Sequence, residues 1–400
     1  MNYNLLAVLA ALVALFASML AYPFVRRYAR RHSILDNPSA RKLHRDPVPV
    51  IGGVAVFIGI LSAFFFLELF VDLNLGWIRV LSFTVMLAVG IWDDITDIPA
   101  TLKFLIEICV VWILISITEI CIDSLHGLWG VYGFSPYLSV PLSIITGVGV
   151  INAINMIDGV DGYCSGFCVI ACTLFSVFFF HIGYCQMGIF ALVCACSLVP
   201  FFLHNVFGRA SKMFIGDSGT LMLGIILTMF VFEALSDINS SDSLEMERFG
   251  VVPFTLATLA IPVFDTLRVT GWRILKGASP FKADRHHLHH LFITAGFSHI
   301  GTAFCIIMMN MFVVASWFVS WRVGATVDVQ LYIVVGLSLG MTFVMYPFME
   351  MQRRGGGKNE DGTPQGTCVW KFICKLGAMS HVEKGSVYRF LRRMLDFNDL

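Results

Sequence analysis

Asn152-Ala153-Ile154-Asn155-Met156-Ile157-Asp158-Gly159-Val160-Asp161-Gly162 separates two long apolar runs. Two amides, Asn152 and Asn155, and two carboxylates, Asp158 and Asp161, recur at every third position. At a helix end that spacing puts neighbouring side chains on one face. A glycine follows each acid, so the backbone there can turn tightly or approach a ligand. Carboxylates inside or at the edge of a membrane are costly and are functional candidates by default.

The apolar runs on either side set the fold class. Of the 400 residues, 57% are hydrophobic and only 14% are charged, with a mean hydropathy of +0.79. That excludes an ordinary soluble domain. The runs are too long for the strands of an outer-membrane barrel, which alternate with a period of two. The composition predicts an all-α integral membrane protein with about eleven transmembrane helices. They fall roughly at 4–25, 50–70, 78–95, 102–121, 138–156, 163–181, 185–204, 216–235, 251–272, 301–321 and 329–349.

The zero net charge says nothing about partners, but its distribution along the chain does. No Lys or Arg precedes the first apolar run, and a basic cluster follows it from Arg26. A secretory signal has the reverse order, so the run reads as an uncleaved first span with its N-terminus outside. Eleven crossings then put the C-terminus in the cytoplasm. Under this topology 24 of the 27 Lys and Arg residues lie inside, leaving Arg79, Arg248 and Arg322 outside. Residues 1–350 form the membrane catalytic domain. Residues 351–400 form a cytoplasmic tail, with a Gly-rich linker and an amphipathic helix carrying Phe390, Leu391 and Met394 opposite Arg389, Arg392 and Arg393. Most of the eleven cysteines sit inside apolar runs and read as core side chains.

Five polar clusters fall on the cytoplasmic edge. They are His44-Arg45-Asp46, Asp93-Asp94 with Lys103 beyond, the opening stretch, Phe214-Ile215-Gly216-Asp217-Ser218-Gly219-Thr220, and Asp284-Arg285-His286-His287-Leu288-His289-His290. Asp93, Asp94, Asp158, Asp161 and Asp217 repel one another unless a cation sits among them. Hard oxygen donors suit Mg²⁺ or Mn²⁺ rather than zinc. Arg45, Lys103, Arg285 and the histidines supply the opposite charge. Acids with a divalent ion and cationic donors are the equipment of phosphoryl transfer. Each cluster also has a plain reading. The Asp pair can be a solvated helix end, and the histidines can hold zinc, although no cysteine or acid at ligand spacing completes such a site. Glu107 with Lys103 and Asp265 with Arg268 read first as structural pairs.

Together these residues resemble the polyprenyl-phosphate N-acetylhexosamine-1-phosphate transferases. The resemblance runs from about His44 to Gly296 and rests on five ordered motifs. Asp93-Asp94-x-x-Asp97 and the complete 152–162 stretch match the family pattern. Gly216-Asp217-Ser218-Gly219 is followed by Thr220 where the family has Ser, which keeps the hydroxyl. His287-x-His289-His290 looks like the WecA-type branch, whereas the phospho-MurNAc-pentapeptide translocases have three adjacent histidines. Arg45 stands where this branch often has Lys.

The resemblance implies a reaction in which undecaprenyl phosphate attacks the sugar-side phosphorus of a UDP-N-acetylhexosamine, with UDP-GlcNAc the first choice. UMP leaves and a lipid-diphosphate sugar forms, the first step of a cell-surface polysaccharide. It implies Asp217 as the metal ligand, with Asn155 as its oxygen partner, and Mg²⁺ or Mn²⁺ as cofactor. Asp93 and Asp94 position or deprotonate the lipid phosphate, or help hold the metal, and Asp158 and Asp161 shape the nucleotide and metal site. Phe214 stacks on uracil, Asn152 belongs to the substrate site, and Arg45, Lys103, Arg285, His287, His289 and His290 hold the diphosphate. Direct attack and double displacement both stay open. The expected location is the bacterial inner membrane, with the lipid bilayer as a partner and no nucleic acid; a homodimer is left open. The competing readings are a phospho-MurNAc-pentapeptide translocase-like enzyme and, from another class, an ion or solute transporter, which would place polar residues through the mid-membrane.

Overall fold

The computed structural model describes residues 3–36, 47–70, 76–236, 248–280, 286–355, 366–381 and 385–396. Helix dominates, as it must where no water can satisfy the backbone. The chain divides into two compact units.

The first unit comprises Met1–Asp158, Cys164–Glu247 and Phe390–Leu400. Its helices are α1 (Tyr3–Arg31), α2 (Gly52–Glu68), α3 (Trp77–Thr96), α4 (Ala100–Thr118), α5 (Pro136–Met156), α6 (Tyr163–His181), α7 (Cys185–Phe207) and α8 (Gly216–Leu235). Helix α8 is the axis of this unit: α2, α3 and α5 pack on it, and every residue of it except Asp217 is buried. Leu, Ile, Met and Phe all round its circumference suit that position. Its polar groups are satisfied locally. The Thr228 hydroxyl donates to Gly224 O at 2.8 Å, and Glu233 pairs with Arg79. That pair ties the end of α8 to the start of α3, so the two helices run antiparallel. A two-residue antiparallel ladder joins Leu35–Asp36 to Val48–Pro49. It leads the chain along the segment before α8, where Phe214 N donates to Pro49 O (2.8 Å) and Gly52 N to Phe214 O (3.0 Å).

The second unit comprises Gly159–Tyr163 and Arg248–Arg389. Its helices are α9 (Val251–Thr258), α10 (Ala260–Leu275), α11 (Leu288–Thr294), α12 (His299–Arg322), α13 (Val327–Leu339), α14 (Met345–Arg354) and α15 (Cys368–Met379), with a π turn at Gly340–Val344. A last helix, α16 (Ser386–Asp396), ends in the first unit. The sequence predicts one straight span at 251–272, but the structure bends it by 73° between α9 and α10. The cause is Pro262, which has no N–H to give Thr258 O four residues back. Asn310 takes over: its Nδ2 donates to Thr258 O at 3.0 Å, and its Oδ1 accepts from Ile261 N at 2.9 Å. In the tail, Trp370 packs with Leu291, Ala295 and Met349.

Each of the eleven predicted stretches falls on helix. Among the described residues eight helices are long and apolar enough to cross a membrane, or nine if the bent pair counts as one span. Helix α2, at 17 residues, is short. Helix α3 carries Arg79, Asp93 and Asp94 within its 20 residues. The protein is an all-α integral membrane protein.

Candidate active site

In the first unit the site forms where α3 meets the start of α8. Helix ends leave backbone N–H groups without partners. Here a side chain from another helix supplies the acceptors: Asp94 Oδ1 accepts from Asp217 N (2.8 Å) and Oδ2 from Ser218 N (3.0 Å). The carboxylate also meets the positive end of the α8 dipole. The geometry requires glycine twice. A Cβ on Gly90 of α3 would lie 2.3 Å from Asp217 O, and one on Gly216, whose φ is +71°, would lie 1.9 Å from Val50 O.

Asp217 is thereby turned to the open end of α8, where Asn155 and Lys103 converge on it. Asn155 Nδ2 donates to its Oδ1 and also to Thr220 Oγ1 at 2.8 Å. Lys103 Nζ stands 3.7 Å from its Oδ2 and 2.6 Å from Asp93 Oδ2. Asp93 also accepts from Ile98 N at 2.9 Å, just beyond the end of α3. The lysine thus bridges two carboxylates, whereas Glu107, its expected partner, accepts from Asn152 instead. Phe214 is half-buried, with Lys212 Nζ 5.2 Å above its ring.

The opening stretch does not stay on one helix face. Helix α5 ends at Met156, so Asn152 and Asn155 point from a helix, while Asp158 is exposed on the turn that follows. Asp161 falls in the second unit, where its Oδ2 lies 3.0 Å from His299 Nδ1 at the start of α12. The sequence reading missed His299. Its only local signal is the helix cap before it, Ser298, which accepts from Gly301 N.

The second unit also assembles the histidines. Asp265 Oδ1 lies 2.6 Å from Arg268 Nη2. Its Oδ2 accepts from His287 Nδ1 (2.9 Å) and Leu288 N (3.1 Å). The expected Asp265–Arg268 pair is present, and it orients a histidine as well. With Nδ1 donating to the acid, His287 presents Nε2 for other chemistry. Arg268 lies over the Tyr346 ring at 3.9 Å and donates to His286 O at 2.5 Å. His287 and His289 have nearly parallel rings 5.8 Å apart, and His289 and His290 lie at 4.2 Å. Burial pushes His289 well below the usual histidine range, with the neighbouring histidines acting in the same direction. Arg45 and Arg285 lie outside the described residues.

Among the described residues no three His, Cys, Asp or Glu side chains form a ready-made metal shell. The donors at the start of α8 are nonetheless hard oxygens: the Asp217 carboxylate, the Thr220 hydroxyl, and the Asn155 amide after a half-turn. Mg²⁺ uses one or two carboxylates and takes its other ligands from water and substrate phosphates. The donor chemistry at Asp217 fits such an ion.

Fold and site define a class: a helical membrane protein with a lysine-bridged carboxylate site at the mouth of a buried helix. Comparison with known proteins narrows it. The family model described as glycosyl transferase family 4 matches residues 76–234. The undecaprenyl-phosphate alpha-N-acetylglucosaminyl 1-phosphate transferase of Escherichia coli (strain K12) is 26% identical over 380 residues, covering 90% of this chain and 99% of the relative. A probable undecaprenyl-phosphate N-acetylglucosaminyl 1-phosphate transferase of Bacillus subtilis (strain 168) is 28% identical over 345 residues, 86% of this chain and 90% of the relative. The chain is thus similar to glycosyl transferase family 4 over residues 76–234, and over most of its length to undecaprenyl-phosphate N-acetylglucosaminyl 1-phosphate transferases.

Proposed function

We propose that this protein transfers N-acetylglucosamine 1-phosphate from UDP-GlcNAc to undecaprenyl phosphate in the bacterial inner membrane. An oxygen of the lipid phosphate bonds to the sugar-side phosphorus, the bond from that phosphorus to UMP breaks, and UMP leaves with the electron pair. The observation that carries the reading is Asp217, aimed out of the α8 terminus and held by Asn155 and Lys103. Asp217 and Asn155 would hold Mg²⁺ or Mn²⁺, which supplies charge neutralisation between two anionic phosphates. Lys103 bridges Asp93 and Asp217 and is placed to meet a phosphate oxygen. Asp94 holds the α8 terminus that presents Asp217. A lipid phosphate has its second pKa near 6 and is mostly ionised at neutral pH, so it needs positioning more than a base. Asp93 serves that task through the Lys103 ammonium it holds. Phe214 offers an aromatic face to uracil. Within the second unit His287 is oriented by Asp265, with His289 and His290 beside it.

We further place eleven spans in the membrane, with the N-terminus outside and the site on the cytoplasmic face, where a soluble nucleotide sugar arrives. Helix α16 lies on the inner leaflet, its Phe390 and Met394 exposed beside Arg392 and Arg393.

The test is transfer of radiolabel from UDP-GlcNAc into the lipid phase by purified protein given undecaprenyl phosphate. EDTA should stop transfer and Mg²⁺ restore it. Asp217→Ala should lower kcat about a hundred- to a thousandfold, the scale expected for losing an electrostatic stabiliser of the transition state. EDTA-resistant transfer, or near-normal turnover in Asp217→Ala, removes the metal role.

A further inference from the structure

The loop Gly208–Met213 joins α7 to the segment that carries Phe214 and Asp217. It is held from three directions within the first unit. From α1, Tyr22 OH donates to Ser211 O at 2.8 Å, and Arg30 donates to Ala210 O at 2.8 Å. From α7, Asn205 Nδ2 donates to Met213 O at 3.0 Å. The third hold comes from Asp396, the last residue of α16, 185 positions along the chain. Its Oδ1 accepts from Arg209 N (3.1 Å), Ser211 N (3.1 Å) and the Ser211 hydroxyl (3.0 Å). Two backbone N–H groups and one hydroxyl converging on one carboxylate resemble the way an acid caps a helix, except that this acid arrives from a remote element. Ser211 is buried, so its N–H and hydroxyl have little water to replace Asp396.

We propose that Asp396 is a positioning residue for the nucleotide end of the donor. The C-terminal helix latches the 208–211 loop and thereby sets Phe214 three residues on. The proposal rests on the reading above that Phe214 meets the uracil. Phe214 follows this loop directly in the chain, and its own backbone is paired with Pro49 and Gly52. Asp217 has its own supports in Asn155, Lys103 and the Asp94 cap. Releasing the latch should therefore weaken donor binding and leave the chemical step largely intact.

The experiment uses full-length protein carrying Asp396→Ala or Asp396→Glu. Steady-state kinetics are measured for each substrate, with hydrogen exchange across residues 208–214. For Asp396→Ala the KM for UDP-GlcNAc should rise about three- to tenfold, the size of one ordinary hydrogen bond, because the loop keeps its other holds. The kcat should stay within about twofold and the KM for undecaprenyl phosphate should not move. Exchange in 208–214 should quicken, and Asp396→Glu, which keeps a carboxylate, should recover part of the effect. An unchanged donor KM overturns the proposal, as does a fall in kcat with a lower melting temperature and no KM shift. So does unaltered exchange in the loop. Failure of the wild-type protein to transfer sugar phosphate at all would instead sink the reaction assigned above, a result separable from a silent Asp396→Ala in an active enzyme.

Discussion

Asp217 is the one α8 residue that the fold leaves partly open, and its surroundings explain why small changes nearby should be costly. Gly90 touches the backbone of Asp217 and Ser218 with no room for a methyl group. Gly90→Ala should cost about 1–3 kcal/mol through overpacking and lower transfer at least about tenfold by displacing the α8 terminus. Gly149, with nothing within 4 Å of its absent Cβ, supplies the control: Gly149→Ala should match wild type in the same assay. His289 makes a pH prediction. Its pKa is depressed in the folded protein, so the unfolded chain binds the extra proton first as pH falls. The stability it contributes is present above the unfolded value of about 6.5 and is lost as pH drops below it. Melting temperature should fall from pH 7 to 5, and His289→Gln should flatten that slope. An equal slope in the variant would mean that other groups carry the effect.

At the scale of the element, the α9–α10 break shows how a single side chain lets a membrane helix bend. Pro262 removes one backbone donor, and Asn310 satisfies both the carbonyl left over and the Ile261 N–H. Asn310→Ala should therefore cost about 2–4 kcal/mol, from two buried backbone groups left unpaired. Thermal unfolding in detergent measures this; a loss under about 1 kcal/mol would show that the break is held by packing. Helices α3 and α8 teach the complementary point. Arg79–Glu233 at one end and Asp94 with the Asp217 and Ser218 amides at the other hold the same antiparallel pair. The register that presents Asp217 is thus a property of two helices together. No periodicity within either one encodes it.

At the scale of the molecule, the topology can be tested through Cys368, which is exposed at the start of α15. In a variant that retains Cys368 alone, a membrane-impermeant maleimide should label inside-out vesicles and spare intact cells. Labelling of intact cells would reverse the orientation. The helical class, the helix positions and the acid at the start of α8 were legible in the residues themselves. Apolar length and charge placement are local properties, and a membrane punishes any other arrangement of them. The bend at Leu259 was half legible, since Pro262 is visible but its rescuer lies 48 residues away, at Asn310. The partners were not legible at all. That Lys103 serves Asp93 and Asp217 rather than Glu107, that Asp161 belongs with His299, and that Asp396 closes on Ser211 depend on side chains brought together from distant stretches. Spacing along a chain fixes which groups share a helix face. Only the packing of helices against one another decides which faces meet.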